Sequence, residues 1–367
     1  MLLRRLASLV MMVMAVTLLA ACAGGTRTPA RPGEEPPLRR SQVIGSHNSY
    51  KLGVQPELLD LMQTAGRRGE SVDYSHLSLT DQLNLGLRSL ELDVCHDPDG
   101  GRYADPLGQK LLRSRYVAPW PLPDAAALAT PGFKLIHEPD FDFRSSPVRL
   151  EDALAMLRDW SRLHPGHTAV TVTMNCKQGS AGLPGATVAP VFEQETLERL
   201  DALVRSVMGR DRLVTPDDVR GNAASLREAV TTRGWPAASG RFIFVLDEGD
   251  ALRRRYLGAF PGLRQATFFT TSPPPEPEAA FLVINDPVRD EAVIRDRVRE
   301  GFLVRTRADA DTREARTNDR RRFEAALRSG AHVISTDYYI PDRRRDERFV
   351  IRFEGGSFTR PNPVTSR

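Results

Sequence analysis

Residues 88–97 read RSLELDVCHD. Leu90, Leu92 and Val94 alternate with Glu91, Asp93 and Cys95, the period of a β-strand whose successive side chains face opposite ways. Glu91 and Asp93 therefore project from one face of a strand that is otherwise rich in leucine. Acids at such positions stand where a hydrophobic core is expected, and burying an unpaired carboxylate is costly. The run identifies a strand and marks it as a carrier of chemistry.

Working outward, the same strand-like character recurs in SQVIGSHN (41–48), FKLIHE (133–138), AVTVTMN (169–175), RFIFVLD (241–247), FLVIND (281–286), FLVRTR (302–307) and HVISTDY (332–338). With residues 88–94 these make eight runs. Amphipathic helical patterns fall between several of them, over residues 80–85, 150–163, 193–207, 225–232, 290–299 and 319–329. The first has Ser78 and Asp81 at capping-box spacing and Gly86 as its stop. Strand and helix in alternation imply a parallel sheet with right-handed crossovers. Eight strands in a chain of 367 residues predict an α/β fold, a (β/α)8 TIM-type barrel forming a single domain. The alternative is an open doubly wound sheet, but no Gly-rich nucleotide loop follows the first strand. Segments 99–131 and 178–191 are rich in Gly, Pro and Ala and poorly periodic. They follow the second and fourth strands, which puts them on the active-site rim of a barrel.

The beginning of the chain has a different character. Arg4 and Arg5 precede an apolar stretch over residues 6–21, which ends in Leu19-Ala20-Ala21-Cys22. That is the outline of an export signal ending in a lipobox, which resembles bacterial lipoprotein processing sites. The apolar run is short for a membrane span. The expected organisation is a signal peptide over 1–21, a lipidated Cys22 and flexible tether over 22–40, and a catalytic domain over 41–367. The tether sequence AGGTRTPARPGEEPPLRR is rich in Gly, Pro and charge and cannot bury apolar surface. Acyl chains on Cys22 would make the protein an exported, membrane-anchored lipoprotein of the cell envelope. The formal net charge is +4, with Arg runs interleaved with acids, so no nucleic-acid footprint is present. Of the remaining cysteines, Cys95 shares a face with Glu91 and Asp93, while Cys176 lies on the opposite face from Asn175. This predicts free thiols.

Every polar member of the set falls toward the C-terminal end of its strand, where the sites of such barrels lie. His47 stands beside Asn48, and His137 beside Glu138. One neutral imidazole can accept a proton from an attacking hydroxyl, and a protonated one can donate to a leaving oxygen. The oxygen ligands of Glu91 and Asp93 suit a hard cation such as Ca2+ or Mg2+. Two imidazoles, an Asn, a Glu and an Asp are the parts required for phosphodiester cleavage around a divalent cation.

The blocks GSHNSYK (45–51), LTDQLNLGLRSLELDVCHDP (79–98), IHEPDFDFRS (136–145), RTRADADT (305–312) and GAHVISTDYY (330–339) together resemble the bacterial Ca2+-dependent phosphoinositide-specific phospholipase C family. That family belongs to the wider group of barrel-fold phosphodiesterases. The resemblance implies an inositol-lipid substrate at a phospholipid membrane surface and Ca2+, or another divalent cation, as cofactor. His47 would be the base that deprotonates the inositol 2-hydroxyl, and His137 would act as acid or stabilise the charge on phosphorus. Asn48, Glu91 and Asp93 would hold the metal. The fourth strand of the family typically ends with a carboxylate ligand in a pattern like LELK. Here TMNCK (173–177) puts Asn175 in that metal position, an oxygen ligand without charge, which predicts a weaker cation site.

Arg305 and Arg307 share one face of their strand, either as a phosphate or inositol clamp or in salt bridges with Asp309 or Asp337. Asp337 and Tyr338 are candidates to line the headgroup pocket. Asp247, where relatives often carry Lys, argues against a strongly phosphorylated headgroup. Lys51 and Lys177 read as surface or rim charges, with a phosphate contact as the weaker alternative. Two alternatives stand beside the phospholipase: a glycerophosphodiester phosphodiesterase, whose members open with His-Arg rather than His47-Asn48, and a non-catalytic lipoprotein that binds a headgroup or glycan.

Overall fold

The computed structural model describes residues 37–365. The expected signal peptide, Cys22 and most of the tether lie outside the described residues. Among the described residues ten strands are formed: β1 (Ser41–Ser46), β2 (Ser89–Asp97), β3 (Gly132–Leu135), β4 (Val170–Lys177), β5 (Phe242–Leu246), β6 (Phe269–Thr270), β7 (Phe281–Val283), β8 (Leu303–Arg307), β9 (Val333–Thr336) and β10 (Thr359–Pro361). They make two five-stranded sheets, in the orders β10-β1-β9-β8-β7 and β3-β2-β4-β5-β6. Within them β1–β9, β9–β8, β8–β7, β2–β4, β4–β5 and β5–β6 pair in parallel. The architecture is α/β with mixed sheets, because β3 and β10 run antiparallel at the edges.

The sheets meet along β1 and β2. Arg88 N–H donates to the Ile44 carbonyl at 3.1 Å, and Ser49 N–H donates to the Glu91 carbonyl at 2.9 Å. This approach depends on Gly45, where a Cβ would lie 2.4 Å from the Ser89 Cβ and 2.7 Å from its carbonyl oxygen.

All eight sequence runs contain strands, but one of them plays a different part. β3 is antiparallel to β2, with Val94 opposite Leu135 and Asp97 opposite Gly132. β2 runs on past Val94 to Asp97, and its projecting half takes β3 as a partner. Apolar alternation identifies a strand without specifying its direction. The parallel set instead includes β6, two residues long and too short to carry a period.

The helices Leu79–Leu85, Leu150–Leu163, Gln194–Met208, Leu226–Thr232, Pro287–Arg299 and Arg321–Ser329 match the periodic segments. Ser78 caps the first through its hydroxyl, and Gly86 ends it at φ 109°. Leu150, Ala153, Leu154, Leu157 and Trp160 form the buried stripe of the second. Segment 99–131 is less irregular than its composition suggested, since it contains the helices Leu107–Ser114 and Ala125–Ala129. The folded unit also takes in Leu38–Arg40, which the composition assigned to the tether. Leu38 is buried in the main core, and Asn362 N–H donates to the Arg40 carbonyl at 2.9 Å. Cys95 and Cys176 are free and buried. Among the described residues no helix is long and apolar enough to cross a membrane.

Candidate active site

His47 follows β1 directly. The chain turns there because Asn48 adopts a left-handed conformation, φ 47°, which asparagine tolerates better than most residues. Lys51 N–H closes the turn on the Asn48 carbonyl at 2.9 Å. Ser49 pins the turn to β2 twice, through its backbone and through its hydroxyl, which accepts from Glu91 N–H at 2.8 Å. His47 is thereby held against the strand that carries the acids.

The His47 ring is surrounded by polar groups. Its Nδ1 lies 2.9 Å from Asp337 Oδ1 and 3.2 Å from the Tyr74 hydroxyl. The Arg307 guanidinium approaches both ring nitrogens, at 3.2 and 3.3 Å, and also reaches Asp337 at 3.4 Å. Glu91 Oε1 is 3.7 Å from Nε2. Burial and then the Arg307 charge hold the imidazole well below its ordinary value. The neutral ring donates through Nδ1–H to Asp337, which leaves Nε2 as the acceptor nitrogen, with Arg307 Nη1 3.3 Å from it. His76 Nε2–H supports the same residue from behind by donating to the His47 carbonyl at 2.6 Å. Burial brings His76 down to about 4, so it is a neutral donor.

His137 has the opposite character. Residues 138–142 turn back on themselves, with Glu138 and Asp142 exchanging backbone hydrogen bonds at 3.1 Å. The turn returns the Asp142 carboxylate to the His137 ring, Oδ2 to Nδ1 at 2.9 Å. The other oxygen of Asp142 lies 3.0 Å from Lys51 Nζ, and neither of those two side chains is exposed at all. Burial disfavours a charged His137, but the hydrogen bond and charge of Asp142 outweigh it, and the ring is raised above its ordinary value. Lys51 in turn helps to hold Asp142 below the usual carboxylate range, against burial.

Between the histidines lie the oxygen donors. Asp93 and Asn175 are partners across β2 and β4, so they occupy one level of the sheet. Glu91 is paired with Arg305, and Asp93 Oδ2 is 3.0 Å from Lys177 Nζ. Asn175 donates its amide N–H to the Asp247 carbonyl, which leaves its amide oxygen available. Asn48 donates to Tyr74 at 2.8 Å, while its buried Oδ1 has no hydrogen-bond partner, and neither has Asp93 Oδ1. Orphaned buried oxygens beside two carboxylates fit a hard cation, which takes several carboxylate and amide oxygens. The set is mixed rather than all acid: among the described residues no three His, Cys, Asp or Glu side chains converge as a metal cluster. Asp247 lies nearby, and burial raises its carboxyl to about 6, with Arg305 opposing and Glu91 and Asp93 adding.

His47, Asn48, Glu91, Asp93, His137, Asn175, Arg305, Arg307 and Asp337 thus lie around one site, and some differ from expectation. Arg305 is turned to Glu91 and to Asn285 Oδ1 at 3.1 Å, and only 2% of its side chain is exposed, so it is no open anion clamp. Asp337 is spent on His47 and Arg307 rather than facing a headgroup. Tyr338 is not in the site. It packs edge-on against Phe349 within an apolar cluster that includes Ile44 and Ile351, because alternation turns it away from the face Asp337 uses. Lys51 and Lys177 are both engaged at the site, and Lys51 is fully buried.

Asp142, Tyr74 and His76 escaped the sequence reading. Asp142 had a signal, the EPDFD turn directly after His137; the other two come from a loop without period. A cavity of about 220 Å³ opens beside His137, lined also by Arg67, Glu138, Lys177, Gln178 and Ser180.

A family model described as phosphoinositide phospholipase C, Ca2+-dependent, matches residues 37–363. Among solved structures, the calcium-dependent phosphoinositol-specific phospholipase C of a Gram-negative Pseudomonas sp., in a myoinositol complex, is similar at 17% identity and TM-score 0.52, covering 90% of this chain and 96% of that one. A Ca2+-dependent phosphatidylinositol-specific phospholipase C from Streptomyces antibioticus gives 20% identity and TM-score 0.48, covering 83% and 96%. No curated protein matches. A family match over nearly the whole described chain places this protein in the Ca2+-dependent phosphoinositide phospholipase C family.

Proposed function

We propose that His47 and His137 are the general base and general acid of a phosphatidylinositol cleavage that releases diacylglycerol and a cyclic inositol phosphate. The observation that carries this reading is the different setting of the two imidazoles: the Arg307 guanidinium lies against both nitrogens of His47, whereas His137 Nδ1 rests on the buried Asp142 carboxylate. Nε2 of His47 accepts the proton of the inositol 2-hydroxyl as that oxygen bonds to phosphorus. The bond from phosphorus to the glycerol oxygen breaks, and His137, held charged by Asp142, gives its proton to the departing oxygen. Asp337 keeps the His47 ring in the required tautomer. Arg307 reaches the His47 ring and contributes positive charge near the developing phosphorane. Asn48, Glu91, Asp93 and Asn175 would hold Ca2+, which when bound polarises the phosphate and eases ionisation of the hydroxyl.

The wider setting belongs to the same proposal. Eight parallel strands, β1, β2 and β4 to β9, support reading the two sheets as one (β/α)8 barrel. The lipobox ending at Cys22 supports an exported lipoprotein held at a membrane surface, where its lipid substrate lies.

The test is phosphorus NMR of phosphatidylinositol vesicles with the purified protein, with and without Ca2+. A cyclic phosphate should form with Ca2+, and His47→Ala should slow it by about 10²- to 10⁴-fold. Unchanged turnover in His47→Ala sinks the assignment. Glycerol phosphate as product favours a glycerophosphodiesterase, and saturable headgroup binding without turnover favours a binding protein.

A further inference from the structure

Both carboxylates of the cation site are already paired with cationic side chains before any metal arrives. Glu91 is paired with Arg305 and Asp93 with Lys177, while Asn48 and Asn175 contribute no charge. The two cations differ in freedom. Arg305 is locked between Glu91 and Asn285, with 2% of its side chain exposed. Lys177 has 32% of its side chain exposed and lines the cavity beside His137. Its position is set by register, since Lys177 lies opposite Cys95, two residues beyond the Asp93–Asn175 pair. The ammonium therefore reaches Asp93 from the rim, on a flexible stem. Glu138, on the wall of the same cavity, is already paired with Arg67 at 2.6 Å, so the space open to the ammonium is the cavity itself.

We propose that Lys177 is a built-in competitor for the cation: its ammonium holds Asp93 when Ca2+ is absent and withdraws into the cavity when Ca2+ binds. This rests on the reading of Asn48, Glu91, Asp93 and Asn175 as the cation donors. Both cations need the same carboxylate within bonding distance, and like charges that close repel strongly where water is scarce. Asn175 sharpens the contest. A carboxylate there would add an unpaired negative charge to the donor set even with Lys177 in place, whereas Asn175 leaves Ca2+ to displace an ammonium from a donor set whose two carboxylates are both paired.

The test is calorimetric titration of Ca2+ into the metal-stripped full-length protein. Lys177→Met, which keeps the length and removes the charge, should bind Ca2+ at least about tenfold more tightly than wild type. Lys177→Gln should do the same and serves if Lys177→Met does not fold. Lys177→Arg, which keeps the charge, should stay within about twofold of wild type. Equal or weaker Ca2+ binding by Lys177→Met and Lys177→Gln overturns the role of Lys177 while leaving the donor set standing. Failure of wild type and both neutral variants to bind Ca2+ overturns the donor set and this inference together.

Discussion

Asp142 acts on His137 through a contact of 2.9 Å, and Lys51 holds the other side of that carboxylate. The pair explains why one histidine of two in the same site is raised above its ordinary value while the other is lowered. Because the acid must be protonated, activity should fall as pH rises through the raised His137 value. Because the base must be neutral, activity should grow as pH rises through the lowered His47 value. Asp142→Asn removes the support for the charged ring, so the alkaline limb of kcat/KM should move to lower pH, with a loss of about ten- to hundredfold near pH 8 and a smaller loss near pH 6. The same change leaves the buried Lys51 ammonium with only the Leu52 and Tyr74 carbonyls and no countercharge, and should cost about 3–5 kcal/mol of stability. An alkaline limb that stays in place, in a variant that still melts cooperatively, would falsify the role given to Asp142. At this scale the sequence was legible for His47, Asn48, Glu91, Asp93 and His137, since each interrupts a short apolar run. It was not legible for Tyr74 and His76, which reach His47 from a loop with no period, nor for the partners chosen by Arg305 and Lys177.

At the scale of elements, the approach of β1 to β2 matters most for the chemistry, because it sets His47 against Glu91. Gly45 permits that approach, and no flexible side-chain end can yield, since the nearest atoms are the Ser89 Cβ and backbone. Gly45→Ala should destabilise the fold by about 1–3 kcal/mol and lower kcat, although residue 45 touches neither histidine. A melting temperature and kcat both equal to wild type would show that the seam has slack. The eight strand-like runs were readable because parallel strands buried on both faces show as short apolar segments bounded by turn residues. The direction of β3 was not, since it answers to the projecting half of β2. Nor was β6, which carries two residues and no pattern.

Over the whole molecule, the folded unit starts earlier than composition suggests. Leu38 is buried in the main core and the Arg40 carbonyl accepts from Asn362, so the first turn ties the two ends of the described chain together. A protein starting at Ser41 should be less stable than one starting at Pro37 by about 1.5–3 kcal/mol, the worth of one buried leucine, with kcat and KM unchanged at temperatures where both are folded. Equal thermal midpoints would return residues 37–40 to the tether. What the sequence determined by itself is the alternation of strands and helices, the positions of the two histidines at strand ends, and an uncharged Asn175 on the fourth strand, because periodicity and residue type are local properties. What only the tertiary structure decided is which charges meet. Asp142 and Lys51 on His137, Asp337 and Arg307 on His47, and Lys177 on Asp93 are pairings between separate segments. They follow from strand order and register, which no local stretch of sequence carries.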